Sequence, residues 1–269
     1  MSKKVKIFIL AALLLLPLIF YRYLNVEQRG SPPESAAGTR GITQRAQLPK
    51  IAIIFDSMGD SLKSLKELYS LKIPLTVVVV PDLKFSKNIA YISKRCGYSV
   101  LIQLPVASPK NRSYIIKEKN KTIGPHLSLR KNKRLLRYYL NYIRIAFGAT
   151  GSLGLNEMID NALLEAVLDS VSRKDMIFLD YALSFESSAC AAAKGSGLTC
   201  VHSEGFLDSQ DDPGRIKDKL YGFLAKAKEK GKIIILAHPR KNTLKVLSQE
   251  LPRLRKKAKF LALRDYFGP

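Results

Sequence analysis

From about residue 50 onward, short apolar runs alternate with stretches of helical period. The runs read as strands at 51–55 (IAIIF), 75–80 (LTVVVV), 99–104 (SVLIQL), 151–155 (GSLGL), 176–180 (MIFLD), 199–202 (TCVH), 232–237 (KIIILA) and 259–263 (KFLAL). Between them, apolar residues recur at i, i+3, i+4 and i+7 spacing, the mark of a helix with one buried face. Such stripes are Leu62, Leu65, Leu68 and Tyr69; Leu135, Leu136, Tyr139, Leu140 and Ile143; and Leu163, Leu164, Val167, Leu168 and Val171. A further stripe, Ile216, Leu220, Phe223, Leu224 and Ala227, follows Asp212 as N-cap and Pro213 at the first helical position. Strands apolar at consecutive positions are buried on both faces, as in parallel sheets covered by helices. About eight such units predict an α/β fold, a (β/α) barrel of 7–8 strands rather than an open doubly wound sheet.

The segment before this domain has a different pattern. "MSKKVKIFILAALLLLPLIFYRYL" (1–24) places Lys3, Lys4 and Lys6 ahead of an uncharged run from Ile7 to Tyr21. A basic stretch before an apolar one is the form of a secretory signal. The expectation is a signal anchor at 1–24 with its lysines inside and the main domain outside; a cleaved signal peptide is the alternative. Residues 25–48, rich in Pro, Gly, Ser and Ala, read as a flexible linker, and 49–269 as one domain. The protein is therefore expected in the cell envelope, inner-membrane anchored with its domain in the periplasm, or secreted if the signal is cleaved.

Charge sharpens the choice of partner. The 269 residues carry a formal net charge of +23, which favours anionic partners. Export turns that preference away from nucleic acid and towards an envelope polysaccharide, a peptidoglycan-like glycan or an anionic membrane surface. "RKNKRLLRYYLNYIR" (130–144) interleaves six Lys or Arg with tyrosines, and "RLRKKAK" (253–259) adds more. Of the three cysteines, Cys190 and Cys200 are close enough in sequence to bridge, and an oxidising compartment would permit it. None forms a C-x-x-C pair. No G-x-G-x-x-G or Walker motif follows a strand, which removes support for nucleotide binding.

In a barrel the chemistry sits at the C-terminal ends of the strands. Those ends carry Asp56, Pro81-Asp82, Gln103-Leu104-Pro105, Asn156-Glu157, Asp180 and His238-Pro239. Each has a structural alternative: Asp56 can cap the next helix, Asp180 can bond amides of the loop "YALSFESS", His238 can be a satisfied structural histidine, and Glu157 a first-turn acid.

The ordered set "IAIIFDSMGD", "IPLTVVVVPDL", "GYSVLIQLP", "GSLGLNEM", "MIFLDYALS" and "IIILAHPRKNTLKVL" resembles the divergent polysaccharide deacetylase family over about 50 to 265. That resemblance implies a distorted (β/α) barrel similar to carbohydrate esterases that remove N- or O-acetyl groups. The family's pattern is an Asp-Asp pair after the first strand, "HLP" at the third, "N-N-H-M-G" after the fourth, then Leu-Asp-Ser and Gly-His-Pro. Asp56 matches the first acid, Asn156 the second asparagine, Asp180 the later acid and His238 the late histidine. Ser57, Gln103 and Glu157 depart from a second acid and two histidines.

Carried over, the resemblance implies Asp56, Asp180 and His238 as catalytic residues and Gln103 and Asn156 as substrate contacts. It also implies a divalent metal, zinc or similar, on Asp56, Glu157 and His238. Zinc takes imidazole and carboxylate at three protein positions with one left open, and hydrolysis uses it to polarise the acyl oxygen and activate water. A carboxylate and two imidazoles are lost, so the expected activity is either hydrolytic deacetylation or glycan binding through a degenerate site. A basic envelope scaffold is the alternative.

Overall fold

The structure, a computed structural model, describes residues 47–107, 121–151, 153, 160–181 and 189–267. Eight parallel strands alternate with helices: β1 (Lys50–Met58), α1 (Leu62–Ser70), β2 (Thr76–Val79), α2 (Ser86–Arg95), β3 (Ser99–Gln103), α3 (Leu129–Tyr142), β4 (Gly148–Gly151) and α4 (Asn161–Ser172). Then follow β5 (Ile177–Asp180), α5 (Ala189–Ala192), β6 (Cys200–His202), α6 (Pro213–Lys230), β7 (Lys232–Ala237), α7 (Lys241–Leu254), β8 (Lys259–Leu261) and α8 (Leu263–Tyr266). The strand order is β6-β5-β4-β3-β2-β1-β7, with β8 on the edge of β1. An isolated parallel bridge, Phe206 to Leu236, spans the gap from the β6 side to β7 and brings the sheet nearly to closure. The expected (β/α) barrel is what the chain forms.

Alternation along the strands sorts side chains into two cores. On β1, Ile51, Ile53 and Phe55 join the large outer core beneath the helices, while Ala52 and Ile54 join Val78, Leu101, Leu179, Ile234 and Leu236 in the interior. Leu261 and Leu263 plug the N-terminal end of that interior, and the Leu263 amide donates to Thr76 Oγ1 at 2.8 Å. Side-chain caps open α1 and α6. Ser61 Oγ accepts from the Lys63 amide, and Asp212 Oδ1 accepts from the Arg215 amide ahead of Pro213.

One strand differs from expectation. β4 is Gly148–Gly151, preceding the predicted 151–155. Its residues are small because the neighbours are close: a Cβ on Gly148 would stand 2.8 Å from the Ile177 carbonyl oxygen and 2.8 Å from Leu101 Cδ2. Such a strand has no hydrophobic signature. Of the predicted span, 152, 154 and 155 lie outside the described residues.

Gln47 to Pro269 form one compact unit. No helix among the described residues is long and apolar enough to cross a membrane; the apolar run expected to be a signal anchor, and nearly all of the expected linker, lie outside them.

Candidate functional site

Strand parity decides which strand-end residues face the barrel mouth. Counting on from the interior residues Ile54, Leu101, Leu179 and Leu236, the next inward positions are Asp56, Gln103, Tyr181 and His238. Asp180 falls on the opposite face.

Asp56 is 4 % exposed. A β-bulge follows it: β1 spends three residues from Phe55 to Met58 while β2 spends two from Val77 to Val79. Ser57 occupies the extra position at φ 59°, the left-handed region, and exposes its side chain. The bulge breaks parity, sending Met58 into the outer core and turning the Ser57 amide and hydroxyl onto the Asp56 carboxylate. Where the family carries a second acid, this serine thus serves the first.

The other partner of Asp56 comes from β5. The Tyr181 hydroxyl donates to Asp56 Oδ1 at 2.6 Å, across 125 residues of sequence. Burial pushes the Asp56 carboxyl above its ordinary range, and the Tyr181 bond, the Ser57 donors and the nearby His238 ring offset that only in part. Burial and then the Asp56 charge push the Tyr181 phenol well above its usual value, so it keeps its proton as donor. Tyr181 stands at the serine of the family's Leu-Asp-Ser element.

His238 is held at ring and backbone by one carboxylate. Asp208, fully buried, accepts from the His238 amide at 2.8 Å through Oδ2 and lies 2.9 Å from His238 Nδ1 through Oδ1. Thr243 Oγ1 also donates to Asp208 Oδ2 at 2.7 Å. Burial raises the Asp208 carboxyl, but its bonds to His238 and Thr243 outweigh this and hold it below the ordinary value. With Nδ1 against Asp208, Nε2 is the atom left to face the mouth, and the side chain is 24 % exposed. The ring stacks on Phe206 (centroids 4.9 Å apart, planes 10° apart), and Phe206 in turn meets the edge of Tyr181.

Asp56 and His238 are thus brought together, whereas Asp180 is directed outward, fully buried, with Oδ2 accepting from the Ala189 amide at 2.5 Å. Gln103, at the end of β3 opposite Thr150, carries a buried Oε1 with no hydrogen-bond partner among the described residues. Asn156 and Glu157 lie outside the described residues. Three residues that sequence reasoning did not single out complete the site: Tyr181, Phe206 and Asp208. Parity would have found Tyr181. Asp208 sits in "FLDSQDDP" among other acids, and only the fold brings it back to His238.

Of the three expected metal ligands, Asp56 gives Oδ1 to the Tyr181 hydroxyl and His238 sets Nδ1 against Asp208, which leaves Asp56 Oδ2 and His238 Nε2; Glu157 lies outside the described residues. Ser57 and Gln103 are poor zinc ligands. Among the described residues, no three His, Cys, Asp or Glu side chains converge as a metal cluster.

The strands close nearly into a parallel α/β barrel with a carboxylate and a carboxylate-paired histidine at its mouth. The model of the divergent polysaccharide deacetylase family matches residues 53–266, and the chain belongs to that family. It is similar to the uncharacterized protein YibQ of Escherichia coli strain K12, 27 % identical over 201 residues, covering 74 % of this chain and 61 % of YibQ. An uncharacterized Haemophilus influenzae protein is 24 % identical over 208 residues, covering 76 % of this chain and 72 % of that one. The chain thus spans about three fifths of the YibQ length. Among solved structures, an uncharacterized protein of Agrobacterium tumefaciens C58 superposes with a TM-score of 0.72 at 17 % identity over 87 % of this chain and 92 % of that one, a likeness of fold.

Proposed function

We propose that the barrel mouth holds a segment of an envelope polysaccharide and binds it without metal-dependent hydrolysis. The observation that carries this is the Tyr181–Asp56 hydrogen bond, which engages one oxygen of the carboxylate that the family's hydrolytic chemistry would give to a metal. The half-buried rings of Tyr181, Phe206 and His238 supply an apolar surface for a sugar ring, and Gln103 Oε1 is a buried acceptor with no donor among the described residues. The family's description supports a glycan as the ligand. The Cys190–Cys200 disulfide supports an exported domain, since such bonds persist in oxidising compartments, as does the basic-then-apolar N-terminus.

One observation favours a second reading, hydrolytic deacetylation. A histidine whose Nδ1 is fixed by a buried carboxylate is set to protonate a leaving amine or alkoxide from Nε2, with Asp56 as the facing base. The test is calorimetric titration of the full chain with an N-acetylated chito-oligosaccharide, with and without chelator, beside an assay for released acetate. Binding that ignores the chelator, releases no acetate and falls about tenfold in Phe206→Ala is the expected result. Acetate release restored by zinc would overturn binding-only function in favour of the hydrolase.

A further inference from the structure

We infer that the trough between α2 and α3, away from the barrel mouth, is a second binding site that takes an anionic glycan strand. The trough encloses about 650 Å³ and is lined by Lys87 and Tyr91 of α2 and by Arg134, Arg137, Tyr138 and Tyr142 of α3, with Arg144 just beyond the helix. Neither helix contains an Asp or Glu. Lys87, Arg134, Arg137 and Arg144 make no ion pair among the described residues; Asp82 at the rim accepts instead from the Tyr138 hydroxyl at 2.7 Å.

That arrangement opposes folding. Like charges three and four residues apart on a helix destabilise it, and here Arg130, Arg134 and Arg137 follow one another at those spacings with no acid on the helix to offset them. A bound anion would relieve that repulsion.

The aromatic wall is already organised. Tyr138 packs edge-on to Tyr139 at 5.1 Å and tilted on Tyr142 at 5.8 Å, while Lys87 Nζ sits 4.9 Å from the Tyr142 ring centre. Tyr91 and Tyr138 are about half exposed, at 51 % and 49 %. Flat faces beside unpaired cations match a polymer that presents an apolar ring face and a carboxylate or phosphate on the same unit. A concave trough admits a strand, whereas a bilayer meets a flat or convex basic face more fully. That the anion is borne on a glycan rests on the reading of the mouth.

The test is titration of the full chain with a short oligogalacturonate and, separately, with the neutral chito-oligosaccharide. Variants are Arg134→Glu/Arg137→Glu, and Lys256→Glu/Lys257→Glu, which makes the same change in net charge outside the trough. The acidic sugar should bind, weaken with salt, and lose about tenfold or more in affinity in the arginine pair only. The neutral sugar should bind all three alike. Absence of oligogalacturonate binding, or an equal loss in the lysine pair, overturns the site. Tighter, arginine-dependent binding of single-stranded DNA, or of phosphatidylglycerol over phosphatidylcholine vesicles, overturns the glycan assignment. Loss of neutral-sugar binding in every protein, with the acidic sugar still held through the arginines, sinks the reading of the mouth and leaves the trough standing.

Discussion

The Tyr181 hydroxyl lies 2.6 Å from Asp56 Oδ1, and that bond ties the end of β5 to the end of β1 across the mouth of the barrel. Tyr181→Phe keeps the ring packed on Phe206 but leaves a buried carboxylate with fewer donors. Loss of about 1–3 kcal/mol of stability near neutral pH is expected, shrinking in acid as Asp56 takes up its own proton. Urea unfolding of wild type and variant at both pH values reads it directly. Equal losses at the two would mean the bond does not hold the charged form.

The two acids at the mouth titrate with opposite signs. Asp56 has a folded pKa above its ordinary 3.8. Its contribution to stability is therefore full below 3.8 and is lost as pH rises through the raised folded value. In Asp56→Asn, stability relative to wild type should climb with pH across that window. Asp208 has a folded pKa below 3.8, so its contribution is present above 3.8 and fades as pH falls through the depressed value. Asp208→Asn should lose ground against wild type as pH rises out of the acid range. Unfolding free energies measured as a function of pH check both, and parallel profiles for the two variants would contradict the assignment.

Cys190 and Cys200 bridge α5 to β6 with Cα atoms 5.2 Å apart. Closing a loop ten residues apart in sequence stabilises by about 2–3 kcal/mol on chain-entropy grounds. Cys190→Ser/Cys200→Ser should show that loss, and reductant should impose it on wild type while leaving the double variant unchanged. Reductant acting on both equally would point to another cause.

Gly148→Ala tests the close packing of β4. The added methyl meets the Ile177 backbone and Leu101 at contact distances no Cβ tolerates, so a cost of about 1–3 kcal/mol is expected. The neighbouring Gly151 has its nearest atoms at 3.6 Å, and alanine there should be far milder. Thermal midpoints of the two variants make the comparison.

Much of the fold was legible because parallel strands buried on both faces announce themselves by composition. Ile51 to Phe55 and Ile233 to Ala237 needed no context. β4 escaped because its requirement is absence of bulk, which hydrophobicity does not register. At the site, Asp56 and His238 could be read from their strands, since a polar residue directly after an apolar run is conspicuous. Asp180 looked equivalent, yet one step of parity turns it outward and delivers Tyr181 to the mouth instead. Phe206 and Asp208 follow no long strand; they are placed by the return of the chain to β7, a long-range fact that local pattern does not encode.

That return has a mechanical consequence. Between β1 and β7 the barrel wall is a ladder from Lys50 to Phe55, but between β6 and β7 it is a joint: Glu204 N to Ile234 O, Leu207 N to Leu236 O and Leu236 N to Gly205 O. A joint of so few bonds yields before a ladder does. Asp56 directly follows Ile54 and Phe55, each paired with both β2 and β7, whereas Phe206 and Asp208 follow β6 directly beside the joint. The mouth therefore has one fixed jaw and one compliant jaw, and its width is set where the aromatic ring and the histidine's carboxylate are carried.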